Sequence, residues 1–165
     1  MPSLLFVCTA NQTRSPIAAA LFVAQLKQAG QLAGWRIESA GTWVTDGLPA
    51  SRTAQRVMQS MRLDLSKHRT RCVTAALLAA FDLILVMEAG HKEALQVEFP
   101  AIARRVYLLS EMVGATASPA CAVSPADIAD PTGGSDDDVR ETARLIARLL
   151  TQGITRIRQL TAPND

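Results

Sequence analysis

The chain has 165 residues, 48% of them hydrophobic and 19% charged, a composition typical of one globular domain with its own core. Its 17 basic and 15 acidic residues leave a net charge of +2, which is too small to predict a nucleic-acid or membrane partner. No apolar stretch reaches the length of a membrane span, and no signal-peptide pattern precedes the first strand, so we expect a cytoplasmic protein.

Apolar runs and amphipathic stretches alternate along the chain, with turn residues between them. In chain order the predicted elements are a strand at 4–7, a helix at 17–29, a strand at 35–40, helices at 51–61 and 74–81, a strand at 82–87, a helix at 88–98 and a strand at 105–109. Because the strands are apolar on both faces and are separated by helices, we predict a single domain over 1–165 of the α/β class. Its core is a four-stranded parallel sheet with helices on both faces and a phosphate-binding loop after the first strand.

The remainder of the chain is predicted as a long loop followed by one helix. Residues 110–130 show no periodicity, and long loops in small domains are often functional. The last helix is expected from Ser135, whose spacing to Asp138 is typical of a capping box. The apolar stripe of this helix consists of Val139, Ala143, Ile146 and Leu150.

The segment 8–15, which we call the phosphate-binding loop, joins the first strand to the first helix and carries Cys8 and Arg14. Ser15 is the expected N-cap of that helix, with Pro16 in its first position. Backbone N–H groups of such a loop can turn inward on anionic oxygens, and the helix N-terminus adds partial positive charge. Arg14 can grip two oxygens at once, while the positive surroundings favour the nucleophilic thiolate of Cys8. The loop therefore predicts chemistry on a phosphate monoester without a metal ion.

A thiolate that attacks phosphorus needs an acid to protonate the leaving oxygen, and Asp130 is the candidate. Pro131 restricts Asp130 to extended geometry, and the glycines that follow allow a sharp turn before the last helix. An aspartate before a proline is by itself most often a turn residue, so this assignment depends on the Cys8 loop.

Metal sites and disulfides are not predicted. His68 and His91 are far apart in sequence, which argues against a zinc site, and we expect no cofactor. The three cysteines, Cys8, Cys72 and Cys121, form no C-x-x-C pair, and free thiols fit a reducing compartment.

Taken together, these segments resemble the low-molecular-weight protein tyrosine phosphatase family over nearly the whole chain. Residues 7–16 resemble the signature loop of the family, 39–42 its second block, and 65–69 the segment that packs under the loop. Asp130 and Pro131 resemble its general-acid element. The resemblance implies that Cys8 forms a phosphocysteine.

The resemblance also implies roles for the surrounding side chains. Arg14 would bind the phosphate and stabilise the transition state, and Asp130 would protonate the leaving group and then activate water. Ser15 would donate a hydrogen bond to the thiolate, and Asn11 would adopt a left-handed conformation. Ser39 and His68 would brace Asn11 as structural support. The residues expected to bind substrate are Thr9, Ala10, Asn11, Gln12, Thr13, Ser15 and Trp43.

Three positions depart from the family pattern. Thr13 stands where the family has a second cysteine that can protect the nucleophile by forming a disulfide. Gln12 is neither the aliphatic residue of tyrosine-specific members nor the threonine of members selective for phosphoarginine. Thr132 follows Asp-Pro where aromatic residues are common, so Trp43 is the aromatic that remains to wall a phenyl ring.

We therefore expect a protein tyrosine phosphatase that acts on phosphorylated proteins as a monomer or weak dimer. A protein arginine phosphatase is the alternative, and a thiol-dependent arsenate reductase is less favoured because Cys72 and Cys121 lack the paired spacing of a disulfide relay. A phosphate-binding module without turnover is disfavoured because binding alone needs no acid.

Overall fold

A parallel sheet lies at the centre of the described part of the chain. The computed structural model describes residues 1–113 and 126–162. Its strands are β1 (Ser3–Cys8), β2 (Arg36–Gly41), β3 (Leu83–Val86) and β4 (Val106–Leu108), in the order β2-β1-β3-β4. Because β1 pairs in parallel with both β2 and β3, Cys8 emerges at the centre of the carboxyl edge of the sheet.

Helices cover both faces of the sheet, as the sequence predicted. They are α1 (Arg14–Gln28), α2 (Arg52–Ser60), α3 (Ala75–Ala79), α4 (Ala89–Glu98) and α5 (Asp136–Thr161), with 3-10 helices at Pro100–Arg105 and Leu109–Met112. Side chains alternate along each strand, so Phe6 packs with α1, α2 and α5 while Leu5 packs with α3 and α4. The described residues thus have the predicted α/β architecture.

The start of α1 differs from the prediction. The carbonyl of Thr13 accepts the N–H of Ile17 at 3.1 Å, so Thr13 is the N-cap and the helix begins at Arg14. Ser15 is therefore not the cap, and Pro16 occupies the third helical position. A proline fits there because the first N–H groups of a helix have no partner within the helix.

The segment before α5 brings Asp130 toward the sheet. Residues 114–125 of the predicted loop, with Cys121, lie outside the described residues, and Leu109–Met112 forms a 3-10 helix where loop was expected from 110 onward. Ile128 is buried, and its N–H donates to the carbonyl of Met87 at 2.8 Å, directly after β3.

The start of α5 agrees with its prediction. Ser135 and Asp138 form the expected capping box, and the four residues of the apolar stripe are buried. None of the helices in the described part of the chain is both long and apolar enough to cross a membrane.

Candidate active site

The phosphate-binding loop turns its carbonyl groups toward the rest of the protein. The carbonyl of Thr9 accepts from the N–H of Trp43 at 3.0 Å, and that of Gln12 accepts from the N–H of Ser51 at 2.8 Å. Within the residues that the structure describes, no backbone N–H of residues 9–13 donates a hydrogen bond. These amide groups remain for a ligand, and an oxyanion is the ligand that supplies acceptors without donors.

Asn11 holds the shape of the loop. Its φ is 55°, a left-handed conformation that costs energy for residues other than glycine and is best tolerated by asparagine. Its side-chain amide donates to Ser15 Oγ at 2.9 Å and Ser39 Oγ at 3.0 Å, and its Oδ1 accepts from the N–H of Arg71 at 3.0 Å. His68 Nε2 donates to the carbonyl of Asn11 at 2.7 Å. The expected bracing contacts of Ser39 and His68 are therefore present.

Cys8 lies at the floor of the loop and is almost completely buried. Its Sγ is 3.0 Å from Ser15 Oγ, which also lies 3.2 Å from the carbonyl of Ala40. A thiolate has no proton to give. When Cys8 is a thiolate, the hydrogen bond between these two atoms must therefore be donated by the Ser15 hydroxyl. Ser15 is thus placed to stabilise a thiolate at Cys8.

Arg14 is 2% exposed and is surrounded by acceptors. One terminal nitrogen donates to the carbonyl of Ile128 at 2.8 Å and to the carboxylate of Glu88, and the other donates to Asp130 at 3.1 Å. Glu88 was not predicted as a site residue. Its position after an apolar strand, at the carboxyl edge of the sheet, is the sequence signal that could have found it.

Asp130 is ionised when it pairs with Arg14. Partial burial by itself raises the pKa of Asp130, but the hydroxyl and N–H of Thr132 and the guanidinium of Arg14 together outweigh burial and hold the pKa below its ordinary value. The Asp130 side chain is partly exposed, and it pairs with the same Arg14 guanidinium to which a phosphate would bind. A bound phosphate dianion would replace this carboxylate on Arg14 and favour the protonated acid.

Gly41 lies directly against the loop, and the sequence indicated it only as part of the second family block at 39–42. A Cβ added here would lie 2.5 Å from the carbonyl oxygen of Thr9 and 3.0 Å from the backbone nitrogen of Asn11. Only a glycine allows the loop to pack this closely on β2.

The remaining predicted substrate-binding residues differ in exposure, since Thr13 is buried and Gln12 is half-buried. Thr13 Oγ1 is 2.9 Å from Ser51 Oγ, and the amide of Gln12 points to the carbonyl of Pro49 at 3.5 Å. Ala10 is half-buried within the loop. Trp43 is 84% exposed, and its backbone N–H donates to the carbonyl of Thr9, which fixes its backbone to the loop.

The thiols and the metal-ligand residues show no paired arrangement in the described parts of the chain. Gly41 pairs with Cys8 on one side and with Cys72 on the other, so the two cysteines are separated by two strand spacings, roughly 9.5 Å. A disulfide needs Cα atoms within about 7 Å.

Among residues 1–113 and 126–162, no cluster of three or more His, Cys, Asp or Glu could hold a metal ion.

Comparison with known proteins gives matches over almost the full chain. The family model of low molecular weight phosphotyrosine protein phosphatase matches residues 3–162. A Ralstonia nicotianae protein described as a probable low molecular weight protein-tyrosine-phosphatase, EpsP, is 35% identical over 158 residues, covering 96% of this chain and 97% of that protein. A protein-arginine-phosphatase of Geobacillus stearothermophilus is 33% identical over 150 residues, covering 88% of this chain and 92% of that protein. The crystal structure of a YwlE mutant from Bacillus subtilis superposes with a TM-score of 0.84 at 29% identity, covering 98% of this chain and all of that one.

Proposed function

This chain belongs to the low molecular weight phosphotyrosine protein phosphatase family and is a phosphatase, and from that premise we propose that it hydrolyses phosphotyrosine in proteins through a phosphocysteine intermediate. The observation that carries the proposal is the meeting of Cys8, Arg14 and Asp130 at one loop. A nucleophile, a guanidinium and a carboxyl group are the parts that transfer of a phosphoryl group to sulfur requires. The amide groups and Arg14 supply the positive charge in this scheme, so no metal ion takes part in it.

In the first step, the phosphoryl group enters the loop and its oxygens accept hydrogen bonds from the backbone N–H groups and Arg14. The Cys8 sulfur attacks phosphorus, so an S–P bond forms as the bond to the tyrosyl oxygen breaks. Asp130 gives its proton to the departing oxygen, and neutral tyrosine leaves. Stabilisation of the charge on the equatorial oxygens by Arg14 is stronger in the transition state than in the ground state.

In the second step, water takes the place of the leaving group. The carboxylate of Asp130 accepts a proton from that water, whose oxygen forms a bond to phosphorus while the S–P bond breaks. Inorganic phosphate leaves, and Cys8 returns to the thiolate, to which Ser15 donates a hydrogen bond. The hydrogen bond from Ser15 makes sulfur a better leaving group here than a bare thiolate would be.

Trp43 supports a preference for aryl phosphates. Its side chain is exposed and its backbone is bonded to the loop, and we infer that the indole packs against the ring of a bound phosphotyrosine. The second candidate substrate is phosphoarginine in proteins, which is favoured by the similarity to a protein-arginine-phosphatase. The carboxylates of Glu88 and Asp130 near the site could also pair with a substrate guanidinium.

The test is turnover of matched peptides that carry phosphotyrosine, phosphoarginine or phosphoserine at one position. We expect the largest kcat/KM for phosphotyrosine, and a Trp43→Ala variant should raise KM for that peptide more than for phosphoserine, with Trp43→Phe retaining most of the effect. A kcat/KM for phosphoarginine ten times that for phosphotyrosine would establish the alternative.

The covalent mechanism is tested on Cys8 and Asp130. Mass spectrometry after rapid acid quenching should find a phosphoryl group on Cys8, and Cys8→Ser should bind vanadate without turnover because its hydroxyl stays protonated near neutral pH. Asp130→Asn should lose more activity as the pKa of the leaving phenol rises. An equal loss for all phenols would contradict the role of Asp130 as the acid.

A further inference from the structure

The start of α4 contacts the phosphate-binding loop at both of its ends. Glu88, the N-cap of α4, pairs with Arg14 at the helical end of the loop. His91, in the first turn, places Nε2 at 2.8 Å from the Oγ1 of Thr9, the residue next to the nucleophile. His91 is 8% exposed, and nothing in the chemistry described above uses its side chain.

The proton on the His91 ring can be assigned from its surroundings. Its Nδ1 is buried and has no hydrogen-bond partner in the described residues. A proton on Nδ1 would create an unsatisfied buried donor, which proteins avoid more strictly than an unsatisfied acceptor. The neutral ring therefore carries its proton on Nε2, which donates to Thr9 Oγ1.

Charge on the ring is also disfavoured. Burial lowers the pKa of His91, the guanidinium of Arg14 lowers it further, and the carboxylates of Glu88, Asp127 and Asp130 oppose this without overcoming it. The positive end of the α4 dipole acts in the same direction as burial. His91 is thus a neutral donor near neutral pH.

This assignment determines the direction of the Thr9 hydroxyl. Because Oγ1 accepts from His91, its own proton must point elsewhere, and Oγ1 has no second hydrogen-bond partner within the described residues. Thr9 is half-buried and follows Cys8 directly, so its hydroxyl belongs to the loop whose backbone N–H groups have no partner in the described residues. An oxyanion held by those N–H groups would offer this hydroxyl the acceptor that the described residues do not supply.

We propose that the hydroxyl of Thr9 donates a hydrogen bond to a phosphoryl oxygen held over Cys8, and that His91 is the positioning residue that orients this hydroxyl. The inference rests on the proposed function only in requiring a phosphoryl group in the loop, and it holds for any leaving group. If the contact between Thr9 and His91 were purely structural, the two side chains would serve only to pack α4 against the loop.

The experiment compares Thr9→Val, Thr9→Ser, His91→Leu, His91→Gln and the double variant Thr9→Val/His91→Leu. Valine keeps the shape of threonine without the hydroxyl, and glutamine keeps an N–H donor near the position of Nε2. Turnover of p-nitrophenyl phosphate gives kcat and KM, calorimetry gives the affinity for vanadate, and thermal unfolding reports stability. Vanadate binding tests the inference even where no peptide is hydrolysed, so it is separable from the proposed function.

We expect Thr9→Val to lower kcat/KM and vanadate affinity by about tenfold or more, the range of one hydrogen bond to a charged group, mainly through kcat. His91→Leu should cause a similar loss, and the double variant should be no worse than Thr9→Val because His91 acts through Thr9. Thr9→Ser and His91→Gln should retain most activity. Wild-type kinetics in Thr9→Val, or losses that multiply in the double variant, would overturn the inference.

Discussion

Replacement of Gly41 by alanine should displace the phosphate-binding loop. The added Cβ would meet the carbonyl oxygen of Thr9 at 2.5 Å, whereas an ordinary carbon–oxygen contact is about 3.3–3.6 Å. The loop must therefore retreat by about 0.8–1.1 Å. Strand β2 cannot move instead, because the N–H of Gly41 donates to Arg71 and its carbonyl accepts from Val73, each at 2.9 Å.

The displacement has two measurable consequences. Overpacking of this kind costs about 1–3 kcal/mol in the free energy of unfolding. A misplacement of about 1 Å in a catalytic group can cost on the order of a hundredfold in rate, and the backbone of Thr9 and Asn11 forms part of the cradle. We expect kcat/KM of Gly41→Ala to fall by about this factor.

The assay is turnover of p-nitrophenyl phosphate, with urea unfolding of the same preparations. Gly90→Ala is the matched control, since a Cβ at Gly90 in α4 meets nothing within 4 Å. Because Gly90 is the second residue of α4, an alanine there should leave stability unchanged or raise it by at most the roughly 0.5–1 kcal/mol of a helix interior. If Gly41→Ala unfolds and turns over like the wild type, the close packing of Gly41 under the loop does not determine its geometry.

Three further predictions concern other parts of the site. Arg14→Lys should lose at least roughly a hundredfold in kcat, because lysine supplies charge without the two-pronged geometry, and a near-normal enzyme would make Arg14 a structural residue. Peroxide should convert Cys8 through sulfenic to sulfinic acid with poor recovery in thiol reductant, whereas Thr13→Cys should restore recovery. A native disulfide between Cys8 and another thiol, found by mass spectrometry, would contradict this. Burial lowers the pKa of His68, so the stability that its neutral form contributes is complete above about pH 6.5 and is lost as the pH falls through the lowered folded-state pKa. Urea unfolding at pH 7.5 and 5.5 should show a smaller pH dependence for His68→Gln than for the wild type, and equal dependence would rule out His68 as the titrating group.

Much of the fold and the placement of the candidate site could be predicted from the sequence because the signals are local. The apolar run before Cys8, the spacing to Arg14 and the helix that follows predicted a loop at the carboxyl edge of a parallel sheet, and the structure places it there. The capping box at Ser135 was equally readable, since its two partners lie three residues apart. Where the contacting residues lie within a few positions of one another, the local sequence pattern is enough to predict the structure.

Contacts between distant segments were decided by the tertiary structure. Ser15 followed no local capping rule, because its hydroxyl is held in a buried network with Cys8 and Asn11. Glu88 meets Arg14 across 74 residues, and His91 meets Thr9 across 82. No periodicity encodes such pairs. They arise because parallel strands bring their carboxyl ends to one edge of the sheet, where side chains far apart in the chain face the same loop.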